Sequence, residues 1–207
     1  MSGHDLPHLD RDVSRETEER LAHLVALIEK WNPRINLIAK STVPEIWTRH
    51  ILDSAQLFDL APVGAERWAD LGSGGGFPGL VVAILAKAER PGLKATLVES
   101  DARKAAFLTT AVRELALNAD VRAERIESLP PIQADVLSAR ALAPLATLLG
   151  HAERHLRPGG TALFAKGATH GAELAAALET WRFSYEKHPS KTDPRAVILS
   201  IEGIARV

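Results

Sequence analysis

The chain has 207 residues, no cysteine, 25 basic and 26 acidic side chains, and a formal net charge of −1. The lack of cysteine excludes a disulfide, a zinc–thiolate site and a thiolate nucleophile, and it fits a reducing compartment. The longest apolar run, residues 80–86, is far shorter than the ~20 residues that span a bilayer, and residues 1–8 lack the features of a signal peptide. We therefore expect a cytoplasmic protein that makes no contact with membranes.

Two helices are predicted at the start of the chain, before any strand. Apolar residues at helical spacing predict the first over residues 14–31, with Ser14 as its N-cap and Pro33 as its end. The second is predicted from Pro44, a favoured first-turn residue, to about residue 60. We expect residues 1–62 to form a helical cap that is part of the same globule as the rest of the chain.

Short strands alternate with helices from residue 63 onward. This alternation predicts right-handed crossovers and a doubly wound, mostly parallel α/β sheet with helices on both faces, over residues 63–207. The last two strands follow each other without a helix, so an antiparallel pairing is open to them. The predicted strands cover residues 67–71, 94–98, 120–126, 134–138, 161–165, 182–187 and 196–202, and the predicted helices cover 79–89, 101–117, 144–156 and 170–180.

A glycine-rich loop lies between the first predicted strand and the following helix. Glycines let the backbone turn sharply and let a ligand approach amide groups at a helix N-terminus. The dinucleotide fingerprint fits Gly74, Gly76 and Gly79, but it begins four residues after Asp70, beyond the expected end of the strand. The alternative pattern places Asp70 at the strand end before Gly72, which suits a sulfonium cofactor with an amino-acid tail.

Glu99 ends the second predicted strand, 27 residues after Gly72. A carboxylate at this point can accept both ribose hydroxyls of NAD or of S-adenosylmethionine, so it indicates an adenosine ligand without choosing between them. An NAD-dependent dehydrogenase needs a further substrate domain, for which this chain has no room. The sequence therefore favours S-adenosylmethionine.

Arg140 follows the fourth predicted strand, where substrate-contacting groups of this architecture lie. An arginine is no base at neutral pH, but it can hold a carboxylate or a phosphate, or donate to a guanine. Since the chain has neither cysteine nor an Asn/Asp-Pro-Pro-aromatic tetrapeptide, an acceptor whose lone pair is already free, such as a ring nitrogen, is favoured. His151 and His155 have metal-compatible spacing but no third ligand, so we expect no metal.

Several segments together resemble the bacterial 16S ribosomal RNA guanine-N7 methyltransferase G family, also called glucose-inhibited division protein B. The Arg-His-Ile-Leu-Asp-Ser block is far more specific than any glycine pattern. The likeness spans roughly residues 24–167. It is carried by Lys30-Trp31-Asn32, Ile35-Asn36-Leu37, Arg49-His50-Ile51-Leu52-Asp53-Ser54, Asp70 to Gly79, Glu99-Ser100, Arg103-Lys104, Phe107-Leu108, Arg125-Ile126-Glu127, Ser138-Ala139-Arg140-Ala141 and Phe164-Ala165-Lys166-Gly167.

The resemblance implies a class I, Rossmann-like methyltransferase that transfers a methyl group from S-adenosylmethionine to N7 of a guanine in 16S rRNA, with S-adenosylhomocysteine as product. No general base is needed, so Arg140 would position the reactants. The cofactor contacts that motif and resemblance together assign are Asp70, Gly72, Gly74, Gly76, Phe77, Glu99, Ile126, Glu127 and Arg140.

We expect 16S rRNA or the small ribosomal subunit as the partner and a monomeric enzyme without an obligate protein partner. The basic residues predicted to form a rim around the cofactor site and to contact RNA are Arg34, Lys40, Arg49, His50, Arg103, Arg140 and Lys166. The alternatives are a class I methyltransferase that acts on a small molecule or a protein, a non-catalytic module that binds an adenosine ligand or RNA, and an NAD-dependent enzyme.

Overall fold

A computed structural model describes residue 9 and residues 11–207. Residues 1–8 and residue 10 lie outside the described part, so the whole segment on which the signal-peptide prediction rests is outside it. Among the described residues, no helix is both long enough and apolar enough to cross a membrane.

Seven strands form one mixed sheet in the order β3-β2-β1-β4-β5-β7-β6. Strands β1 to β5 are parallel, whereas β7 pairs antiparallel with both β5 and β6. The doubly wound α/β architecture predicted from the sequence is confirmed, and so is the antiparallel option for the last two strands. The strands are β1 Arg67–Leu71, β2 Lys94–Val98, β3 Ala119–Arg122, β4 Ala134–Arg140, β5 Leu156–Lys166, β6 Trp181–Pro189 and β7 Val197–Arg206.

Helices cover both faces of the sheet and bury two apolar clusters. One cluster lies between the sheet and the N-terminal helices together with α3 and α4, and the other lies beneath α5 and α6. The helix α3 is apolar almost all round, because α1 and α2 pack on its outer side. The helices are α1 Arg15–Ile35, α2 Asp53–Leu60, α3 Gly79–Glu89, α4 Ala102–Glu114, α5 Leu145–His155 and α6 His170–Leu178.

Helix α1 begins as predicted but ends later. Ser14 is its N-cap, and the Ser14 hydroxyl accepts a hydrogen bond from the Thr17 amide. The prediction that Pro33 ends the helix is wrong, because the helix continues to Ile35. Pro33 lies in the last turn, where its missing N–H leaves only the carbonyl of the exposed Glu29 without a helical donor. Asn36, in a left-handed conformation, closes the helix by donating to the carbonyl of Asn32.

The second predicted helix is composite. It consists of a 3₁₀ segment at Lys40–Glu45, a π-helical segment at Trp47–Leu52 and the α-helix α2. Pro44 therefore lies within the 3₁₀ segment and not at the first turn of an α-helix. The third strand is also shorter than predicted, because the chain leaves the sheet after Arg122 and Ile126–Ser128 form a 3₁₀ turn.

Candidate functional site

The candidate site lies at the carboxyl edge of the sheet, where β1 and β4 are neighbours and the strand order reverses. In open α/β sheets, ligands bind at this point. Two cavities open there, of about 390 Å³ and 660 Å³. Both are bordered by Ala141, Leu142 and Ala143, which connect β4 to α5. We call these the smaller cavity, the larger cavity and the dividing segment.

Asp70 holds the glycine loop from behind and does not reach either cavity. Its side chain is fully buried, and its two oxygens accept hydrogen bonds from the Ser138 hydroxyl at 2.7 Å and the Gly79 amide at 3.1 Å. The Trp68 indole N–H in turn donates to Ser138 Oγ at 2.8 Å. Burial raises the pKa of Asp70 to about 6, although these hydrogen bonds and Ser73 oppose the shift.

The loop itself lies tightly under the dividing segment. Gly72, Gly74 and Gly76 all have left-handed backbone conformations, with φ of +67°, +54° and +91°. A Cβ atom at Gly72 would lie 2.6 Å from Leu142 Cδ1, so only glycine fits at that position while Leu142 stays in place. Gly72 and Gly74 line the smaller cavity.

Glu99 lies at the same cavity and is 9% exposed. Its Oε2 accepts a hydrogen bond from the Gly74 amide at 2.9 Å, and its Oε1 accepts one from the Asp101 amide at 2.8 Å. These two bonds connect the end of β2 to the glycine loop and fix the orientation of the carboxylate. Each oxygen still has a lone pair that a hydroxyl group can use.

Of the other predicted cofactor contacts, some line the smaller cavity and some do not. Ile126 and Glu127 line the smaller cavity, where the Ile126 side chain is 8% exposed and Glu127 lies open to solvent. A backbone hydrogen bond lowers the pKa of Glu127, which keeps its carboxylate charged at neutral pH. Phe77 lines neither cavity; its ring packs against that of His50, with the centroids 4.9 Å apart.

Arg140 lines the larger cavity and not the smaller one. Its Nη2 donates to the carbonyl oxygen of Arg49 at 2.9 Å, and its Nη1 lies 3.5 Å from Asp53 Oδ2. Burial lowers the pKa of this guanidinium, but the group remains charged. Both terminal nitrogens of the guanidinium already face protein atoms. A bidentate contact with a ligand would therefore require Arg140 to lose its contact with Arg49 or with Asp53.

The predicted basic rim is only partly at the surface. Arg34, Lys40, Arg49 and Arg103 are exposed. His50 is not part of the rim: it is 8% exposed, its Nε2 is hydrogen-bonded to Thr42 Oγ1 at 2.9 Å, and burial, with Arg140 and Arg49, lowers its pKa to about 4.

Lys166 also differs from the expected rim residue. Its side chain is 9% exposed, and its Nζ lies 2.6 Å from Glu173 Oε2 and 2.9 Å from the carbonyl oxygen of Ala143. The neighbouring Glu173 neutralises this cation, and the carbonyl contact ties the dividing segment to β5. Lys166 is therefore placed to support the dividing segment and not to contact phosphate as a free charge.

The β6–β7 loop, residues 190–196, was not identified by sequence reasoning and forms a wall of the larger cavity. It is tied to helix α2. Asp53 Oδ1 accepts from the Thr192 hydroxyl at 3.0 Å and from the Ser190 hydroxyl at 3.4 Å, and Gln56 Oε1 accepts from the Lys191 amide at 2.9 Å. The sequence shows Asp53 only as part of the Arg-His-Ile-Leu-Asp-Ser block, because the loop follows it by more than 130 residues.

No cluster of three or more His, Cys, Asp or Glu side chains that could hold a metal occurs within the described residues. His151 and His155, which have metal-compatible spacing in the sequence, are in different environments. His151 borders the smaller cavity, whereas His155 is fully buried.

The fold is shared with known methyltransferases. The chain is similar to M. jannaschii TYW2 in complex with AdoMet, with a TM-score of 0.57 and 13% identity over 78% of each chain. It is also similar to a ribosomal protein L11 methylase from Lactobacillus delbrueckii subsp. bulgaricus, with a TM-score of 0.59 and 15% identity over 74% of this chain and 78% of that one. At such identities the likeness concerns the fold, which is that of a class I methyltransferase.

Sequence similarity is more specific. The model of the family described as rRNA small subunit methyltransferase G (GidB) matches residues 17–196. A protein of Cereibacter sphaeroides named ribosomal RNA small subunit methyltransferase G is 58% identical over 95% of each chain, and one of the same name from Ruegeria pomeroyi is 56% identical over 95% of this chain and 96% of its own. The chain belongs to this family, which confirms the resemblance seen in the sequence.

Proposed function

We propose that this protein is an enzyme that transfers the methyl group of S-adenosylmethionine to N7 of one guanine in the 16S rRNA of the small ribosomal subunit. The observation that carries the proposal is the 58% identity, over 95% of both chains, to a protein named for methylation of small-subunit rRNA. Because its substrate is ribosomal RNA, we place the enzyme in the cytoplasm.

The smaller cavity fits this cofactor. A hydrogen-bonded carboxylate, Glu99, faces it for the ribose, and the left-handed Gly72 leaves the close approach that a side chain would block. When bound, S-adenosylmethionine supplies a methyl group on a positively charged sulfur and leaves as S-adenosylhomocysteine. The residues proposed to hold it are Gly72, Gly74, Glu99, Ile126 and Glu127, with Gly76 and Phe77 in the same loop and Asp70 holding that loop from behind.

The protein's part in the reaction is to position the reactants. Guanine N7 carries an in-plane lone pair, so it can attack the methyl carbon without losing a proton, and the electron pair of the broken bond returns to sulfur. No general base is required, and correct alignment of two reactants lowers a barrier by about 7–11 kcal/mol. We assign Arg140 a positioning role, since it lies at the dividing segment between the two cavities.

RNA contact is proposed for the exposed members of the predicted rim. Arg34 and Lys40 flank the end of α1, Arg49 borders the larger cavity, and Arg103 lies in the first turn of α4. Cations at these positions would bind phosphates around the site and orient the RNA without reading its sequence. We further propose that the enzyme acts as a monomer, on 16S rRNA or on the small subunit.

The direct test is methyl transfer to ribosomal RNA. The purified chain is incubated with tritiated S-adenosylmethionine and with 16S rRNA or small subunits from a strain that lacks its own enzyme of this family. We expect label in 16S rRNA, recovered as 7-methylguanosine by nucleoside mass spectrometry, and none in 23S rRNA from the same ribosomes. Transfer only to small molecules or proteins, or cofactor binding without transfer to RNA, would contradict the proposal.

A further inference from the structure

The larger cavity differs from a phosphate site in its charges. Its wall carries three cations, Arg49, Arg140 and Lys166, and three carboxylates, Asp53, Glu173 and Asp193. A site for an anion needs an excess of positive charge, whereas this balanced wall suits a neutral planar molecule that has both hydrogen-bond donors and acceptors. Apolar groups, among them Leu142, Pro144 and Ile198, complete the lining.

Two of the three carboxylates in this wall already have several hydrogen-bond donors. Glu173 accepts from Lys166, from the Leu145 amide and from the Thr169 hydroxyl. Asp193 accepts from the backbone and the guanidinium of Arg195. These carboxylates therefore have little capacity to bind a ligand.

Asp53 is different, because only one of its oxygens accepts a hydrogen bond from a described residue. The Oδ1 atom accepts from Thr192 and Ser190, but no described residue donates a hydrogen bond to Oδ2. The nearest cation is Arg140 Nη1, 3.5 Å from Oδ2, and Nη1 itself has no hydrogen-bond partner in the described structure. The Asp53 side chain is 14% exposed, so the carboxylate is oriented by the β6–β7 loop and is still accessible from the cavity.

The chemistry of the acceptor decides which base edge the protein reads. If N7 is to receive a methyl group, its lone pair must stay free, so an arginine bonded to O6 and N7 together would block the reaction. The guanine has to be recognised on its other edge, where N1–H and the 2-amino group are two adjacent donors. A carboxylate is the side chain that accepts from both.

We propose that the larger cavity binds the target guanine after it has left its stack, and that Asp53 reads the N1–H and 2-amino donors of the base. This inference rests on the proposed function. It assigns Asp53 as a residue that determines specificity, and the dividing segment then borders both the base and the cofactor. Enzymes that modify a base within RNA or DNA need such a pocket for the extruded nucleotide.

A charged Asp53 also favours the reaction itself. As the methyl group moves to N7, positive charge develops on the purine ring, and N1–H becomes a stronger donor. The hydrogen bonds to Asp53 are then stronger in the transition state than in the ground state, which is the condition for catalysis.

The test uses 16S rRNA joined from fragments by ligation, in which inosine replaces the target guanosine. Inosine keeps N7 and O6 but lacks the 2-amino group. For the wild-type protein we expect kcat/KM to fall on the order of ten- to a hundredfold with inosine, the usual range for one base contact. The Asp53→Asn variant should methylate the guanosine substrate at least tenfold more slowly and discriminate less than about threefold between the two bases. Asp53→Glu keeps a carboxylate and should retain a preference for guanosine.

The matched control is Asp193→Asn, the same chemical change in the same cavity at a carboxylate already bound by Arg195. It should keep the wild-type ratio between guanosine and inosine, whatever its rate. Cofactor binding by Asp53→Asn, measured by calorimetry, should equal that of the wild type because Asp53 does not border the smaller cavity.

A wild-type enzyme that methylates both bases equally well overturns the inference without any variant, and so does an active Asp53→Asn protein with the wild-type ratio. If Asp53→Asn fails to fold, loss of the guanosine preference in Asp53→Glu overturns the inference and its retention supports it. Failure of the wild type to methylate 16S rRNA at all overturns the proposed function instead.

Discussion

In its proposed role, Glu99 is a carboxylate that the protein has already oriented for a ligand. Both of its oxygens are held by backbone amides, so its position does not depend on a flexible partner. A ligand hydroxyl then meets a carboxylate that is already oriented and largely removed from water, and charge-assisted hydrogen bonds of this kind are roughly twice as strong as neutral ones.

We therefore expect Glu99→Gln to weaken cofactor binding. The amide NH₂ group of glutamine cannot accept from the Gly74 or Asp101 amide, so one backbone contact is lost along with the charge. The loss corresponds to about 1.5–3 kcal/mol, on the order of ten- to a hundredfold in Kd. Calorimetric titration with S-adenosylhomocysteine measures it. Glu66→Gln, an exposed position beyond the opposite edge of the sheet, is the control; equal Kd values in the two variants would contradict this role.

Asp70 gives a prediction about pH. Because burial raises its pKa to about 6, the folded chain keeps a proton between about pH 4 and pH 6 that the unfolded chain has lost. The contribution of this group to the free energy of unfolding therefore falls as the pH rises through that window and is constant above it. An asparagine does not titrate. Relative to the wild type, Asp70→Asn should gain about 3 kcal/mol between pH 4 and pH 6.5.

Urea unfolding of both proteins at a series of pH values provides the measurement. The difference between the two curves isolates Asp70 from every other titrating group. One of these is His50, whose lowered pKa makes the free energy of unfolding rise with pH over a similar range. Two stability curves that stay parallel from pH 4 to pH 6.5 would show that Asp70 titrates normally in the folded state.

At the scale of elements, the junction between the glycine loop and α3 depends on the absence of one side chain. A Cβ atom at Gly79 would lie 2.3 Å from Leu97 Cδ2 and 2.7 Å from Asp70 Oδ2. Neither neighbour has room to move, because Leu97 is in the core and Asp70 is held by hydrogen bonds. The helix can approach the sheet this closely only with glycine at its first position.

The variant Gly79→Ala should therefore be destabilised by about 1–3 kcal/mol, the usual cost of overpacking. It should also bind cofactor more weakly, because the loop shifts with the helix. Gly92→Ala is the matched control, since a Cβ atom there meets nothing within 4 Å. Thermal unfolding and calorimetry on both variants give the comparison; a Gly79→Ala protein as stable as Gly92→Ala would mean that the helix start moves freely.

The elements best predicted from the sequence were those with a strong local pattern. Strands β1 and β2 and helix α3 have the predicted bounds, because buried apolar runs are bounded there by loop residues. The end of α1 and the composite helix were missed. A proline in a last turn has little to disrupt, and a π-helical segment has no periodicity that distinguishes it from an α-helix.

Sequence motifs indicated the parts of the candidate site that lie in local segments and missed the contacts that join distant ones. The glycine loop and Glu99 each have a signal within a few residues of a strand end. The contact between Asp53 and the β6–β7 loop joins positions far apart in the chain, and the neutral state of His50 follows from burial, which no local pattern reveals. Both features depend on packing in three dimensions.

At the scale of the whole molecule, the charges proposed to bind RNA lie around the carboxyl edge of the sheet. If phosphates are bound there, counterions are released and affinity falls steeply with salt. The double variant Arg34→Ala/Lys40→Ala should lower the slope of log Kd against log salt by about one to two units. Arg182→Ala, exposed at the start of β6 and therefore at the opposite edge, should leave the slope unchanged. Fluorescence anisotropy with 16S rRNA fragments measures both, and a flat wild-type salt response would contradict the proposed rim.

We also propose that residues 1–62 unfold together with residues 63–207. Helix α1 packs on α3 and α4, and Leu21, Leu24 and Ile28 are fully buried in the same apolar cluster as residues of the sheet. Scanning calorimetry of the full chain should show one transition, with equal calorimetric and van't Hoff enthalpies. Two separable transitions would mean that the helical cap folds independently.

The position of β7 has a consequence for biosynthesis. This strand is not at the margin of the sheet but between β5 and β6, and its first two residues line the larger cavity. While the C-terminal residues are still inside the translating ribosome, β5 presents an unpaired edge, the kind of surface that invites aggregation in incompletely made chains. Termination before residues 197–201, the part of β7 that pairs with β5, would leave this edge open and threaten solubility before it affects catalysis.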